Sequence, residues 1–361
     1  MTGWEALTHH QRVVVCCGTG GVGKTTTSAA LAIAAAQAGR RAVVLTIDPA
    51  KRLADAFGVE GLGNDPQPIE GPWSGTLAAA MLDAEATFDD AVRRHANDAE
   101  QAEQILANRF YRNVAGTLSG TQDYMAVEKL AELASDDRWD LIVVDTPPTR
   151  DALTFLDAPQ VLARLLDNPI YRLVTGSRRG VLQVANRAAN AVVSQLGRVV
   201  GASVVDDAIA FFQGFEGMEE GFRDRALATA QLLSQPSTSF VLITSPRADT
   251  VDEAKAFADA LAENNLHPDV IVVNRTIPRT SVDYERALTL EAQLVGTAQA
   301  PVAAALRDLT ESAIGEDAVL TQLAALRPDA TLVTVPLQAT DIHDVEGLAA
   351  FARHIGAAPP D

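Results

Sequence analysis

Four residues with the side chains that phosphoryl transfer needs stand in short, well-defined contexts: Lys24, Thr25, Asp48 and Asp145. Lys24 and Thr25 close the run GTGGVGKT, residues 18–25, in which the pattern GxxxxGK[ST] is complete. Glycines let a backbone turn its N–H groups inward around phosphate oxygens, and a helix starting there adds a favourable dipole. Gly20, Gly21, Val22, Gly23, Lys24, Thr25 and Thr26 are therefore the expected phosphate cradle. In it Lys24 reaches the β- and γ-phosphates and Thr25 ligates Mg²⁺. The plainer alternative is a glycine-rich turn that only caps a helix. The context argues against it, because the pattern lies between an apolar strand and an alanine-rich helix.

Asp145 closes the apolar run DLIVVD and is expected to hold Mg²⁺ through water. A carboxylate at a strand end is common, so this signal is weak alone. Asp48 follows the next strand in the stretch Thr46-Ile-Asp48-Pro49-Ala50. Asp before Pro reads as a helix start, with Asp48 as N-cap and Pro49 in the first turn. The same loop lies at the carboxyl end of a strand, facing the ligand crevice of an α/β fold, where Asp48 could orient or deprotonate an attacking water. The two roles are compatible.

These residues need a framework that brings strand ends together. Short apolar runs at residues 12–17, 41–47, 76–81, 140–145, 239–244, 269–274 and 330–335 alternate with helical patterns. Continuous rather than alternating apolarity means strands covered on both faces, so the expected fold is a doubly wound, mainly parallel α/β sheet. Two stretches break the rhythm, about 84–134 and about 154–236, each helical in pattern. The chain therefore reads as a single domain over 1–361, with helical insertions forming a subdomain on one side and a disordered tail at 356–361. The insertions either pack on their own core or present a surface for a partner or client.

Composition sets outer limits. The chain has 361 residues, 47% of them apolar, enough for a sizeable core. A net charge of −18 argues against a broad nucleic-acid footprint, which needs clustered Lys and Arg. The two cysteines, Cys16 and Cys17, are adjacent on a strand and should point to opposite faces, so neither a structural disulfide nor a zinc site is expected. The N-terminal residues lack a signal-peptide pattern and no long apolar run appears, so a cytoplasmic location is expected.

Taken in order, GTGGVGKTTT, TIDPAKRLADAFG (46–58), MLDAEATF (81–88), VVDTPPTRDAL (143–153), VVNRT (272–276) and VPLQATDIHDVEGLAAFA (335–352) resemble the ArsA family. That family includes the arsenical-pump ATPase and the ATPase that targets tail-anchored membrane proteins. The pattern is most similar to single-copy actinobacterial-type members described as anion-transporting ATPase-like. The resemblance implies a deviant Walker A P-loop ATPase that uses ATP and Mg²⁺ and works as a nucleotide-gated dimer. It further implies that Asp48 is the switch I aspartate that activates water, that Asp145 begins switch II, that Asn274 reads adenine, and that Pro336 and Leu337 flank the base.

Departures from the family pattern carry information as well. Members usually read KGGxGK[ST], and their first lysine crosses the dimer to the partner's nucleotide; here that position is Thr19. Switch II usually reads DTAPTGHT, whereas here Arg150 and Asp151 stand in place of Gly and His. Metalloid-binding cysteines and the CxxC zinc clasp have no counterparts, and only Met125 and Met218 lie in the insertions. Arsenite is therefore not an expected ligand, and a methionine-rich client groove is not expected either. The expectation is an ATP-hydrolysing subunit that couples dimer opening and closing to transport or delivery of a client. Its homodimer turns over slowly unless Arg150 substitutes for the lysine, or it pairs as a heterodimer with a lysine-bearing paralogue. The alternatives are a weakly active nucleotide-bound regulatory subunit and, with less support, a ParA/MinD-like partitioning ATPase. Any membrane association would be peripheral, through a partner.

Overall fold

The computed structural model describes residues 3–114, 121–147 and 202–356. One eight-stranded sheet is built from β1 (Val13–Gly18), β2 (Arg41–Thr46), β3 (Gln67–Pro68), β4 (Thr76–Met81), β5 (Leu141–Asp145), β6 (Thr238–Thr244), β7 (Pro268–Thr276) and β8 (Thr331–Pro336). Their order is β3-β4-β2-β5-β1-β6-β7-β8, and every neighbouring pair is parallel except β3 with β4. All seven apolar runs form strands. The eighth, β3, carries no apolar signal: it is two exposed residues on the sheet edge, where Pro68 needs no ladder N–H.

Both faces of the central strands are buried. Val14, Cys16, Val44, Val143 and Val241 join the core formed with helices Lys24–Gln37 and Val345–Gly356 and with Trp4 and Leu7 of helix Gly3–His9. Their neighbours Val13, Val15 and Cys17 face the other way, where helix Ala248–Glu263 packs on β1 and β6 and helix Ala300–Leu326 packs on β7. Cys16 and Cys17 therefore lie on opposite faces, fully buried and free. Burial pushes both thiols up, Cys17 to about 12, so neither is a thiolate at neutral pH.

Helix Lys24–Gln37 forms because alanine is the best helix former, and its small side chains let ten of its residues be buried against the sheet. It ends at Ala38, followed by Gly39 at φ +87°, a conformation that costs glycine little. Gly356, expected in the tail, still belongs to the last helix, and residues 357–361 lie outside the described ones. No helix among the described residues is long and apolar enough to cross a membrane.

The chain divides into two compact units, one containing the whole sheet and the other comprising residues 82–136 and 154–232. In the second unit helices Ala84–His95, Ala99–Ala107, Arg109–Val114, Thr121–Ala134, Ala202–Gly214 and Glu219–Leu233 are described; the last ends in the first unit. Phe88 stacks on Tyr111 at 5.0 Å between ring centroids, and Phe215 lies 5.0 Å from Phe211 and 5.4 Å from Phe222. Met125 and Met218 are buried inside this unit. A buried carboxylate, Glu128, accepts from Arg94 Nη1 at 2.5 Å and Arg225 Nε at 3.1 Å. Burial raises its pKa while the two arginines oppose that shift.

Candidate nucleotide-binding site

The loop after β1 lies where the connections diverge: β2 and β4 build the sheet to one side of β5 and β1, and β6, β7 and β8 build it to the other. In open α/β sheets such a switch point, at the carboxyl ends of the strands, is where ligands bind. Two glycines fix the loop's path. Gly18 has φ +146°, and a Cβ there would run into the backbone carbonyl oxygen of Ile243 on β6. Gly23, the N-cap of helix Lys24–Gln37, has φ +96°, and a Cβ would run into the side-chain amide of Asn274. Having no side chain, Gly23 leaves the helix N-terminus uncapped, so its first-turn N–H groups and positive dipole end keep their capacity for an anion.

Lys24 is buried, and its Nζ donates to Thr19 O at 2.7 Å, folding the ammonium back across its own loop. Burial lowers its pKa, opposed by the nearby Asp145. Thr25 Oγ1 donates to Asp145 Oδ2 at 2.8 Å, Thr46 Oγ1 donates to the same oxygen at 3.1 Å, and Ser28 Oγ reaches Oδ1 at 3.4 Å. Strand register makes this possible: Asp145 lies opposite Cys16 on β1 and opposite Thr46 on β2. Burial pushes the Asp145 carboxyl up to about 6, although the Thr25 hydroxyl and the Lys24 charge pull it down. A buried carboxylate held by three hydroxyls and one nearby ammonium is under-neutralised.

Asp48 is only 8% exposed, but it is not a helix N-cap. The helix begins at Arg52 with Lys51 as cap, three residues later than the Asp-Pro signal implies. Asp48 Oδ1 instead accepts from Ala50 N at 2.9 Å, an Asx-type turn that competes with helix initiation. Its Oδ2 accepts from Arg52 Nη1 at 3.3 Å. A cavity of about 340 Å³ is lined by Gly21, Gly23, Lys24, Thr25, Thr26, Asp48, Arg52, Thr146 and Arg275, among others. A second, of about 550 Å³, is lined by Gly20, Gly21 and Val22 with Thr19, Glu253, Arg275 and Glu316.

The expected residues fall into three groups. Lys24, Thr25, Thr26, Asp48, Gly21 and Gly23 line the first cavity, Gly20 and Val22 line the second, and Asp145 sits behind Thr25. Asn274, 7% exposed, is tied to the loop: its Nδ2 donates to Val22 O at 2.8 Å and its Oδ1 accepts from Arg275 N at 2.9 Å. Pro336 and Leu337 are at the end of β8 and line neither cavity. Leu337 is 59% exposed and its N–H donates to Thr276 O at 2.9 Å. Arg150 and Asp151 lie outside the described residues. Sequence reasoning missed Ser28, Thr46, Arg52 and Arg275. Ser28 was legible as one helical turn beyond Thr25 and Arg52 as i+4 from Asp48, whereas Thr46 and Arg275 enter only through strand register and a bulge.

A glycine loop between a central strand and a helix, with Lys-Thr at the helix start and a strand-end aspartate behind it, defines the P-loop class of α/β proteins. The chain matches the family of anion-transporting ATPases over residues 11–296 and belongs to it. An uncharacterized protein of Streptomyces coelicolor is 32% identical over 269 residues, covering 74% of this chain and 63% of that protein. The chain thus spans less than two thirds of that relative. The ATPase ASNA1 homolog of Entamoeba dispar is 22% identical over 349 residues, covering 94% of this chain and 92% of its own length. The ATPase get3 of Aspergillus terreus is 26% identical over 263 residues, covering 72% of each.

Proposed function

We propose that this chain binds ATP with Mg²⁺ in the loop between β1 and helix Lys24–Gln37 and hydrolyses it, as one subunit of a dimer whose opening and closing drives transport or delivery of a client. The observation that carries the reading is the under-neutralised cluster of Lys24, Thr25 and Asp145 behind a loop in which Gly18 and Gly23 leave no room for a Cβ. Mg²⁺ prefers hard oxygen ligands and keeps several waters, so the Thr25 hydroxyl as direct ligand and Asp145 through water fit it. When bound, it neutralises charge that develops on the β- and γ-phosphate oxygens. Lys24 exchanges its bond to Thr19 O for phosphate oxygens, and Asp48 orients the attacking water with lone pairs not used by Ala50 and Arg52. Membership of a family of ATPases supports the same reading. Asp48→Asn tests it: turnover should fall about 10²- to 10⁴-fold while ATP affinity stays within a few-fold. Unchanged turnover would remove Asp48 from the chemistry.

Thr19 favours a paired assembly. Its side chain is 4% exposed, uncharged and, among buried side-chain atoms, without a hydrogen-bond partner at Oγ1. With no cationic side chain at position 19, the site is completed by a lysine-bearing paralogue in a heterodimer, or else it belongs to a regulatory subunit that binds nucleotide and hydrolyses it weakly. Mixing with such a paralogue should raise turnover well above either protein alone. Absence of stimulation and of co-elution would count against the heterodimer.

A further inference from the structure

Arg275 is placed by a defect in the sheet. β7 pairs regularly with β8 up to Asn274, opposite Val335, and the next paired residue is Thr276, opposite Pro336. Arg275 is left between them as a bulge, with φ +62°, in the left-handed region that residues with a Cβ avoid. Bulges re-aim a side chain and concentrate near functional sites. Asn274 Oδ1 holds the strained peptide by accepting from Arg275 N at 2.9 Å, while its Nδ2 anchors the same corner to the loop carbonyl of Val22.

Arg275 lines both cavities, the first together with Lys24, Thr25 and Asp48 and the second together with Thr19 and Glu253. Two cations of the first cavity are already engaged, Lys24 with Thr19 O and Arg52 with Asp48. Arg275 is exposed, and its guanidinium takes part in none of the described hydrogen bonds or ion pairs. Pro336 and Leu337, the segment expected to flank a base, line neither cavity. We propose that Arg275 is a second phosphate-contacting cation of this site, its guanidinium donating in cis to phosphate oxygens of the bound nucleotide. A guanidinium presents a planar fork of donors that matches phosphate oxygens and keeps its charge at any working pH. The proposal rests on the nucleotide reading above.

The test is titration of wild type and Arg275→Gly with MgATP and, separately, with Mg²⁺ and tripolyphosphate, which carries the phosphates without base or ribose. Glycine adopts φ +62° freely, so the variant should melt, without ligand, no lower than wild type. Loss of a hydrogen bond to a charged group should weaken both ligands by about 10- to 100-fold. Affinities within twofold of wild type for both ligands would overturn the proposal. So would weakening of MgATP with tripolyphosphate unchanged, which would assign Arg275 to the base. Failure of wild type to bind MgATP would instead overturn the nucleotide reading itself.

Discussion

Asp145 offers the sharpest test of how the site trades stability for ligand affinity. Its carboxyl is fully buried and pushed from an ordinary 3.8 up to about 6, chiefly by desolvation. At about 1.4 kcal/mol per pH unit, that gap makes the ionised carboxylate cost the ligand-free protein about 3 kcal/mol above pH 6. The sign follows from proton counts. Between pH 4 and pH 6 the folded chain keeps a proton that the unfolded chain has lost, so stability falls as pH rises through that window and is lowest above it. Asp145→Asn removes the charge yet preserves the contacts, because an amide oxygen in the place of Oδ2 accepts from both Thr25 and Thr46 and the amide nitrogen in the place of Oδ1 donates to Ser28 Oγ. With about 2.1 cal/mol/K of unfolding entropy per residue, 361 residues convert about 3 kcal/mol into about 4 °C. Thermal melts without nucleotide and with a chelator should therefore place the variant about 4 °C above wild type at pH 8, with the difference vanishing near pH 4. Adding MgATP should reverse the order, since wild type gains stability by binding and the variant loses the Mg²⁺-dependent part of that gain. A variant that melts below wild type at pH 8, or a difference that does not change with pH, would refute the electrostatic argument.

Two further expectations concern the framework. Gly18→Ala should destabilise the protein by about 2–4 kcal/mol, because φ +146° and the Ile243 carbonyl leave no place for a Cβ; a urea midpoint near wild type would show that the strand can shift. Glu128→Ala in the helical unit should cost about 3 kcal/mol, at the lower end for a broken buried pair because Arg94 and Arg225 are partly exposed, and Glu128→Gln should cost less; equal urea midpoints for the two variants would contradict this.

The sequence by itself determined the sheet and the glycine loop that follows β1. Seven continuous apolar runs became seven parallel strands because burial on both faces demands such runs, and the glycine pattern fixed the loop because its φ values leave few other residues possible. Local signals failed where side-chain chemistry competes over short range. The Asp-Pro pair that reads as a helix start is an Asx turn instead, because the Asp48 carboxylate takes Ala50 N and the helix starts only at Arg52. Only the tertiary structure decided what surrounds Asp145. β5 inserts between β1 and β2, elements distant in sequence, and that order alone brings Thr25, Thr46 and Asp145 within hydrogen-bond reach. Likewise Asn274 meets Val22 across 252 positions of chain, and Arg275 reaches the cavities through a one-residue bulge. Periodicity records which residues are buried, whereas strand order and register are settled by the global packing of many elements, and no short window of sequence contains them.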